Sequence, residues 1–167
     1  LSEQEVLAGS YAQKAIARLT QADPSTSYTV VHQSIYNVHQ RVAQQLRKGR
    51  VLLAGDAAHV NNPLGGFGLN SGIHDAFCLC EKLAKVLSEA APEGLMDLYH
   101  RQRHTVNVEY VQLLSVKNKQ NLEEKDPLKR KARFQELRET CADPVKARHY
   151  LLNSSMINSI ARANSIH

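Results

Sequence analysis

A stretch near the middle of the chain, residues 51–70, combines the residue types that hold a phosphorylated cofactor. The apolar run at residues 51–54 predicts a short strand covered on both faces, and Gly55 and Asp56 follow it directly. A carboxylate at this point lies in the crevice at the carboxyl edge of a sheet, where α/β folds bind ligands. Because a carboxylate repels a pyrophosphate, its expected partner is a hydroxyl-bearing sugar or ribityl chain.

The next segment, residues 63–68, contains Pro63 and three glycines. Glycine lets the backbone approach a ligand closely, since no side chain holds it away. A helix is predicted to begin near Asn70, with Asn70 or Ser71 as its cap. Its free amides and dipole would favour an anionic group by about 0.3–2 kcal/mol. A plain strand–turn–helix connection is the alternative, but all these features in one run favour a ligand site.

The helix after this turn has the clearest amphipathic pattern in the chain. Its apolar residues recur at steps of three and four, which predicts one continuous face packed on the core. His74, Cys78, Glu81 and Lys85 occupy the other side. The predicted apolar face consists of Ile73, Ala76, Phe77, Cys80, Leu83, Ala84 and Leu87.

The remaining elements are mostly helical. Ser2 and Glu5 form a capping-box pattern that opens a helix reaching about Thr20. The β-branched and aromatic residues of 28–36 predict a strand. From there on the pattern predicts helices over residues 95–121, from Pro127 to about 140, from Asp143–Pro144 onward, and over 155–163.

Composition bounds the class of protein. The 167 residues make one domain or part of a larger one, and 43% hydrophobic with 22% charged residues is typical of a globular chain. No apolar run approaches the ~18 residues of a membrane span, so no membrane partner is expected. The basic run 125–133 lacks aromatic residues for base stacking, which favours a solvated helical face over a nucleic-acid site. An odd count of three cysteines indicates the reducing cytoplasm.

Two other kinds of site receive little support. Cys78 and Cys80 would project about 200° apart on a helix, so they cannot chelate one metal with His74, and buried thiols are expected instead. His59 is expected to be structural rather than a general base. No G-x-S-x-G nucleophile elbow is present, which argues against the usual hydrolase. We therefore assign neither a metal site nor a catalytic side chain.

The residues around this site resemble a known family. The strings from Gly49 to His59, from Pro63 to Ala76 and from Lys82 to Ala84 are similar to the second flavin-binding motif of the FAD-dependent aromatic hydroxylases. These are single-component flavoprotein monooxygenases related to 4-hydroxybenzoate and phenol hydroxylases. The flanking segments 36–43 and 98–103 resemble the strand before that motif and the segment after its helix.

This resemblance implies FAD as the cofactor and NAD(P)H as its reductant. Asp56 would bind the ribityl chain, the Pro63 carbonyl would face the reactive side of the flavin, and the backbone from Gly65 to Asn70 would follow the isoalloxazine edge. The helix N-terminus would stabilise negative charge at the N1/C2 region of the reduced flavin. The implied reaction hydroxylates a phenolic aromatic substrate through a flavin hydroperoxide. The implied cofactor-binding residues are Gly55, Asp56, Pro63, Gly65, Gly66, Phe67, Gly68, Leu69 and Asn70.

The chain also departs from the family pattern. Phe67, Leu69, Cys78 and Glu81 stand where the family commonly has Gln, Met, Asn and Trp. No GxGxxG follows an N-terminal strand, so the element that holds the ADP pyrophosphate is missing. We therefore expect a C-terminal portion of a longer enzyme, inactive alone, whose partner is the N-terminal portion or a complementing chain. A homodimer also remains open.

The fold expected from this resemblance is α/β. It comprises a C-terminal fragment of a Rossmann-like FAD-binding domain with a remnant of the substrate-domain sheet and a helical tail. The predicted divisions are residues 1–48 for the substrate-sheet region, 49–125 for the FAD domain and 126–167 for the tail. Two other functions stay open: a non-catalytic remnant or partner subunit that keeps the fold, and a related flavin epoxidase, halogenase or reductase.

Overall fold

The computed structural model describes residues 2–21, 23, 25–88 and 91–167. The chain divides into two compact units, Leu1–Val38 and His39–His167, and each is described by itself. The three-part division at residues 48 and 125 stays a prediction.

The first unit contains two helices, α1 (Glu3–Leu7) and α2 (Gly9–Thr20). The Ser2–Glu5 capping box is confirmed, because Glu5 N–H donates to Ser2 Oγ (3.2 Å) and Ser2 N–H to the Glu5 carboxylate (2.6 Å). The single predicted helix is interrupted at Ala8, whose backbone is extended (ψ 130°).

The strand predicted over residues 28–36 is wrong, since none of these described residues forms a strand. The Gln13 side chain occupies both backbone groups of Tyr28: its amide donates to the Tyr28 carbonyl, and its oxygen accepts from Tyr28 N–H at 3.0 Å. The Gln33 amide likewise donates to the Val6 carbonyl. The Gln13 side chain of α2 thus takes the hydrogen bonds that a neighbouring strand would otherwise make with Tyr28.

The second unit begins with four two-residue strands: β1 (Arg41–Val42), β2 (Arg47–Lys48), β3 (Val51–Leu52) and β4 (His59–Val60). Strand β1 pairs antiparallel with β4, and β2 forms a hairpin with β3. Gly49 supplies the left-handed conformation of that hairpin turn (φ 59°). The expected strand at residues 51–54 is therefore shorter than predicted. Its expected cover on both faces is also wrong, because Val51 is 64% exposed.

Helices form the rest of this unit, as the periodicity predicts. Helix α4 (Gly94–Val106) continues through a π-helical segment, Asn107–Gln112, into α5 (Leu113–Glu123). Asp126 and Asp143 cap α6 (Pro127–Ala142) and α7 (Pro144–Ser154) by accepting hydrogen bonds from backbone N–H groups. No helix of the described residues is long and apolar enough to cross a membrane. The helices are α3 (Phe67–Ser88), α4 (Gly94–Val106), α5 (Leu113–Glu123), α6 (Pro127–Ala142), α7 (Pro144–Ser154) and α8 (Ile157–Asn164).

Two small apolar clusters form the core of this unit. One contains Leu46, Ala58 and Tyr99, and the Tyr99 hydroxyl donates to the Leu53 carbonyl at 2.6 Å. Burial raises the pKa of Tyr99 strongly, so this hydroxyl keeps its proton and the bond. The other cluster contains Phe67, Val111 and Met156.

The predicted orientation of α3 is wrong. Of the seven apolar residues expected in the core, only Leu83 is half-buried, and Phe77 and Leu87 are each 75% exposed. The buried face instead carries Ser71, Asp75 and Lys82 beside Phe67. Polar side chains of α4 and the π-helical segment bind this face, so hydrogen bonds and not apolar contacts decide which side of α3 faces inward.

Candidate functional site

An open cavity of about 510 Å³ lies between the turn after β3 and the first turns of α3. Gly55 and Asp56 line it from the turn, and Gly68 and Leu69 line it from the helix. Four of the nine predicted cofactor-binding residues are therefore neighbours around one space. Ala54, Gly72, Ile73 and Ala76 complete the lining.

The other predicted residues form the turn and helix start beside this cavity. Gly66 N–H donates to the Pro63 carbonyl at 3.1 Å, and Gly65 and Gly66 both have positive φ (105° and 69°). Phe67 is buried in the core against Val111 and Met156, and it does not line the cavity. Asn70 lies inside the helix, where its Nδ2 donates to the Gly66 carbonyl at 2.7 Å.

The start of α3 differs from the prediction. The helix begins at Phe67 and not near Asn70, so neither Asn70 nor Ser71 is its cap. The backbone amides of Phe67, Gly68 and Leu69 belong to its first turn, where N–H groups have no acceptor within the helix. Gly68 and Leu69 of this first turn line the cavity, so the positive end of the helix dipole borders it.

Glycine is required where the turn meets the helix. Gly55 has φ 59°, and a Cβ on Gly72 would stand 3.3 Å from the Gly55 Cα. That separation is tighter than ordinary van der Waals contact, so the two backbones pack directly against each other. Asp56 follows Gly55 in a short 3-10 turn (Gly55–Ala57), and its carboxylate is exposed at the cavity rim.

Asp75 holds this turn from inside α3. Its Oδ2 accepts from Gly55 N–H (3.0 Å) and lies 2.7 Å from His59 Nε2, while its Oδ1 accepts from Arg103 Nε at 2.6 Å. The Asp75 side chain is fully buried and that of Arg103 nearly so. A carboxylate in this position joins the turn, strand β4 and helix α4.

The protonation of this cluster follows from its hydrogen bonds. Burial raises the pKa of Asp75, but the bond from His59 and the charge of Arg103 outweigh it, and the pKa lies below its usual value. An ionised carboxylate only accepts, so His59 Nε2 donates to Asp75 Oδ2, while the buried His59 Nδ1 has no partner among the described residues. The Asp75 carboxylate therefore lies between the His59 ring and the Arg103 guanidinium.

The Arg103 guanidinium extends the network along the helices. Its Nη2 donates to Ser71 Oγ at 3.2 Å, and Ser71 Oγ donates to Asn107 Oδ1 at 2.7 Å. Asn107 Nδ2 returns a bond to the Arg103 carbonyl at 2.9 Å. All these side chains are buried, and their mutual bonds offset the loss of water.

Asn62 holds the turn around Pro63, which precedes α3. Its Oδ1 accepts from Leu64 N–H (3.1 Å), and its Nδ2 donates to Gln40 Oε1 (2.9 Å) and to the Ser115 carbonyl (3.0 Å). These bonds fix the chain on both sides of Pro63. A buried amide therefore positions the exposed turn that precedes α3.

The sequence reading missed Asp75, Arg103 and Asn62. A signal was present for the first: Ser71, Asp75, Cys78 and Lys82 recur at steps of four, three and four, which is a polar stripe of helical period. The expected buried thiol is wrong for Cys80, which is exposed, and Cys78 is half-buried. Throughout the described ranges, no group of three His, Cys, Asp or Glu side chains could hold a metal ion.

Comparison with known proteins identifies the family of this chain. Residues 5–113 match the FAD binding domain family. Para-nitrophenol 4-monooxygenase of a Pseudomonas species is 38% identical over 131 residues, which cover 78% of this chain and 32% of that protein. The 6-hydroxy-3-succinoylpyridine 3-monooxygenase of Pseudomonas putida is 42% identical over 100 residues, 60% of this chain and 25% of that protein.

A solved structure shows the same fold. The p-nitrophenol 4-monooxygenase of Pseudomonas putida superimposes with a TM-score of 0.76 at 34% identity, over 95% of this chain and 41% of that one. The chain thus spans about a third of the length of the para-nitrophenol 4-monooxygenase that it matches. By the extent of the family match and by this structural likeness, the chain belongs to the FAD binding domain family.

Proposed function

We propose that this chain supplies the flavin-proximal part of the FAD site in an FAD-dependent monooxygenase that hydroxylates a phenolic aromatic ring. The proposal rests on one observation: the Gly55–Asp56 turn and the first turn of α3 line the same cavity. Two relatives that share 38% and 42% identity are monooxygenases by name, which supports the reaction class.

The residues present fit the flavin end of the cofactor. Asp56 offers an exposed carboxylate to ribityl hydroxyls, and such charge-assisted bonds are stronger than neutral ones. Gly55 and Gly68 leave room for a planar ring system beside the backbone. The first-turn amides of α3 would stabilise negative charge on the reduced ring. When bound, FAD would supply the redox chemistry that couples NAD(P)H and dioxygen to hydroxylation.

We infer that the residues that bind the rest of FAD belong to another part of the enzyme. The apolar face of α3 and the Val51 side chain are exposed, and burial of such surfaces is the main driving force for association. We infer that the N-terminal portion of the same enzyme, or a complementing chain, covers them. A cytoplasmic location and a homodimer stay predictions.

Visible absorbance of the native gene product that contains this chain tests the proposal. The expected result is a flavin spectrum after purification or after addition of FAD. Asp56→Asn should raise the dissociation constant of FAD about tenfold, because it removes a charged acceptor. Glu139→Gln is a matched control, since it removes an exposed carboxylate on α6, remote in sequence from the cavity.

Turnover separates enzyme from binding module. An aromatic hydroxylase oxidises NAD(P)H faster when a phenol is added and releases hydroxylated product. A native gene product that binds no flavin would refute the proposed function. A gene product that binds FAD tightly, but whose NAD(P)H oxidation is not stimulated by any of the phenols tried, would favour a non-catalytic subunit or a related flavoenzyme.

A further inference from the structure

We propose that Asp75 is a positioning residue for the cofactor site: from inside α3 it fixes the direction of Asp56 through its bond to Gly55 N–H. This inference rests on the proposed FAD site and concerns a residue that does not itself line the cavity. Asp75 is completely buried, so any effect on the cofactor has to pass through its neighbours.

The two oxygens of Asp75 have separate tasks. Oδ1 is held by Arg103 of α4 at 2.6 Å, and Oδ2 receives Gly55 N–H at 3.0 Å beside His59 Nε2 at 2.7 Å. The first bond anchors the carboxylate in the helical core. The second transmits that anchor to the turn at the cavity rim.

The backbone of the turn has little freedom once Gly55 is held. Gly55 N–H is fixed by Asp75, and the Gly55 carbonyl accepts from Ala58 N–H at 2.8 Å. Gly55 also keeps a left-handed φ of 59° against the backbone of Gly72. Removal of the N–H acceptor would leave a half-buried donor unpaired and free this conformation to relax.

Asp56 depends on that backbone alone. Its carboxylate is exposed and makes no hydrogen bond or ion pair with any described residue. Its direction toward a ribityl chain is therefore set by the turn that carries it. Because orientation of binding groups before the ligand arrives reduces the cost of binding, loss of the Asp75 bond should weaken FAD binding.

If Asp75 had a purely structural role, variants with and without an acceptor for Gly55 N–H would bind FAD equally well, provided that their cores stay packed. Buried ion pairs can often be replaced by apolar residues of similar volume without loss of stability. Asp75→Leu combined with Arg103→Met would keep an apolar core but leave both Gly55 N–H and His59 Nε2 without the Asp75 acceptor. Asp75→Asn combined with Arg103→Gln is the matched control, since the new amide keeps an oxygen for Gly55 N–H and directs its NH2 to the glutamine oxygen.

The experiment measures FAD affinity and thermal unfolding of the native gene product. Wild type is titrated first, and absence of FAD binding there would refute the proposed function and not this inference. With wild type binding FAD, the Leu/Met pair should raise the dissociation constant about tenfold, and the Asn/Gln pair by less than about threefold.

A mutant cycle with Asp56→Asn identifies the route. If Asp75 acts through Asp56, the Leu/Met pair should change FAD affinity by less than about twofold in the Asp56→Asn background. An equal loss in both backgrounds, or equal affinities of the Leu/Met and Asn/Gln pairs, would overturn the inference. If the Leu/Met pair does not fold, the Asn/Gln pair decides: native circular dichroism with tight FAD binding supports the inference, and native circular dichroism with lost binding overturns it.

Discussion

Gly55 and Gly72 are in direct backbone contact, at the point where the cavity-lining turn meets α3. A Cβ added to Gly72 would stand 3.3 Å from the Gly55 Cα, and one added to Gly55 would stand 3.9 Å from the Gly72 Cα. The contact sets how closely the Gly55–Asp56 turn approaches α3. The width of the candidate cofactor site therefore depends on two residues that lack side chains.

Gly72→Ala should separate stability from cofactor affinity. Alanine favours the helix by about 1 kcal/mol over glycine, but its methyl group would push the turn outward. We expect an unchanged or higher melting temperature with an FAD dissociation constant raised roughly 3- to 10-fold. Gly94→Ala is the control, because its Cβ would meet nothing within 4 Å at the start of α4. Weaker binding by both variants would contradict this account.

Gly65→Ala should destabilise the fold through a collision. A Cβ there would lie 2.5 Å from the Phe67 ring and 2.7 Å from Asn118 Nδ2, and φ is 105°. Strain and overpacking together predict a loss of about 2–4 kcal/mol in the free energy of unfolding. Gly66→Ala has positive φ but open space, so it should cost only about 1–2 kcal/mol. Denaturant unfolding compares the two, and equal losses would exclude the collision.

Arg103→Met alone should be far more damaging than its combination with Asp75→Leu. The single change leaves the buried Asp75 carboxylate without its cation, and such losses cost about 3–5 kcal/mol. The double change removes both charges and should recover most of that free energy of unfolding. Urea denaturation of both single variants and the double variant measures the coupling. Additive losses would show that the two charges do not compensate each other.

The stability of the chain should fall in mildly acidic solution because of His100. Its Nδ1 accepts from the backbone N–H of buried Leu46 at 3.2 Å, which requires an unprotonated ring nitrogen. Burial and the nearby His104 hold the pKa of His100 below 6.5. The stabilisation is therefore complete above pH 6.5 and is lost as pH falls through the lower folded-state pKa.

His100→Gln tests this pH dependence. Glutamine keeps an oxygen that can accept from Leu46 N–H but does not titrate, so the loss of melting temperature below pH 6.5 should become smaller. His32→Gln is the control, because His32 is exposed and its loss should leave the pH profile unchanged. An unaltered profile in the His100 variant would contradict the assignment.

The sequence by itself determined what depends on near neighbours along the chain. The caps at Ser2 and Asp143 and the helical periods beyond Phe67 are local, since each involves residues within a few positions. The motif at residues 55–70 is likewise contiguous. Because this motif is contiguous, the sequence alone indicates the flavin family.

Tertiary structure alone decided the side of α3 that is buried and the residues that hold the cavity. Apolar period predicted a core face over Ile73–Leu87, but burial depends on which partner covers a face, and α4 covers the opposite one with Arg103. By its residue type alone Asp75 would be expected at the surface. It is buried because Arg103 Nε donates to its carboxylate at 2.6 Å. Residues 28–36 show the same limit, because a strand needs a neighbouring strand and Gln13 takes the bonds of Tyr28 instead.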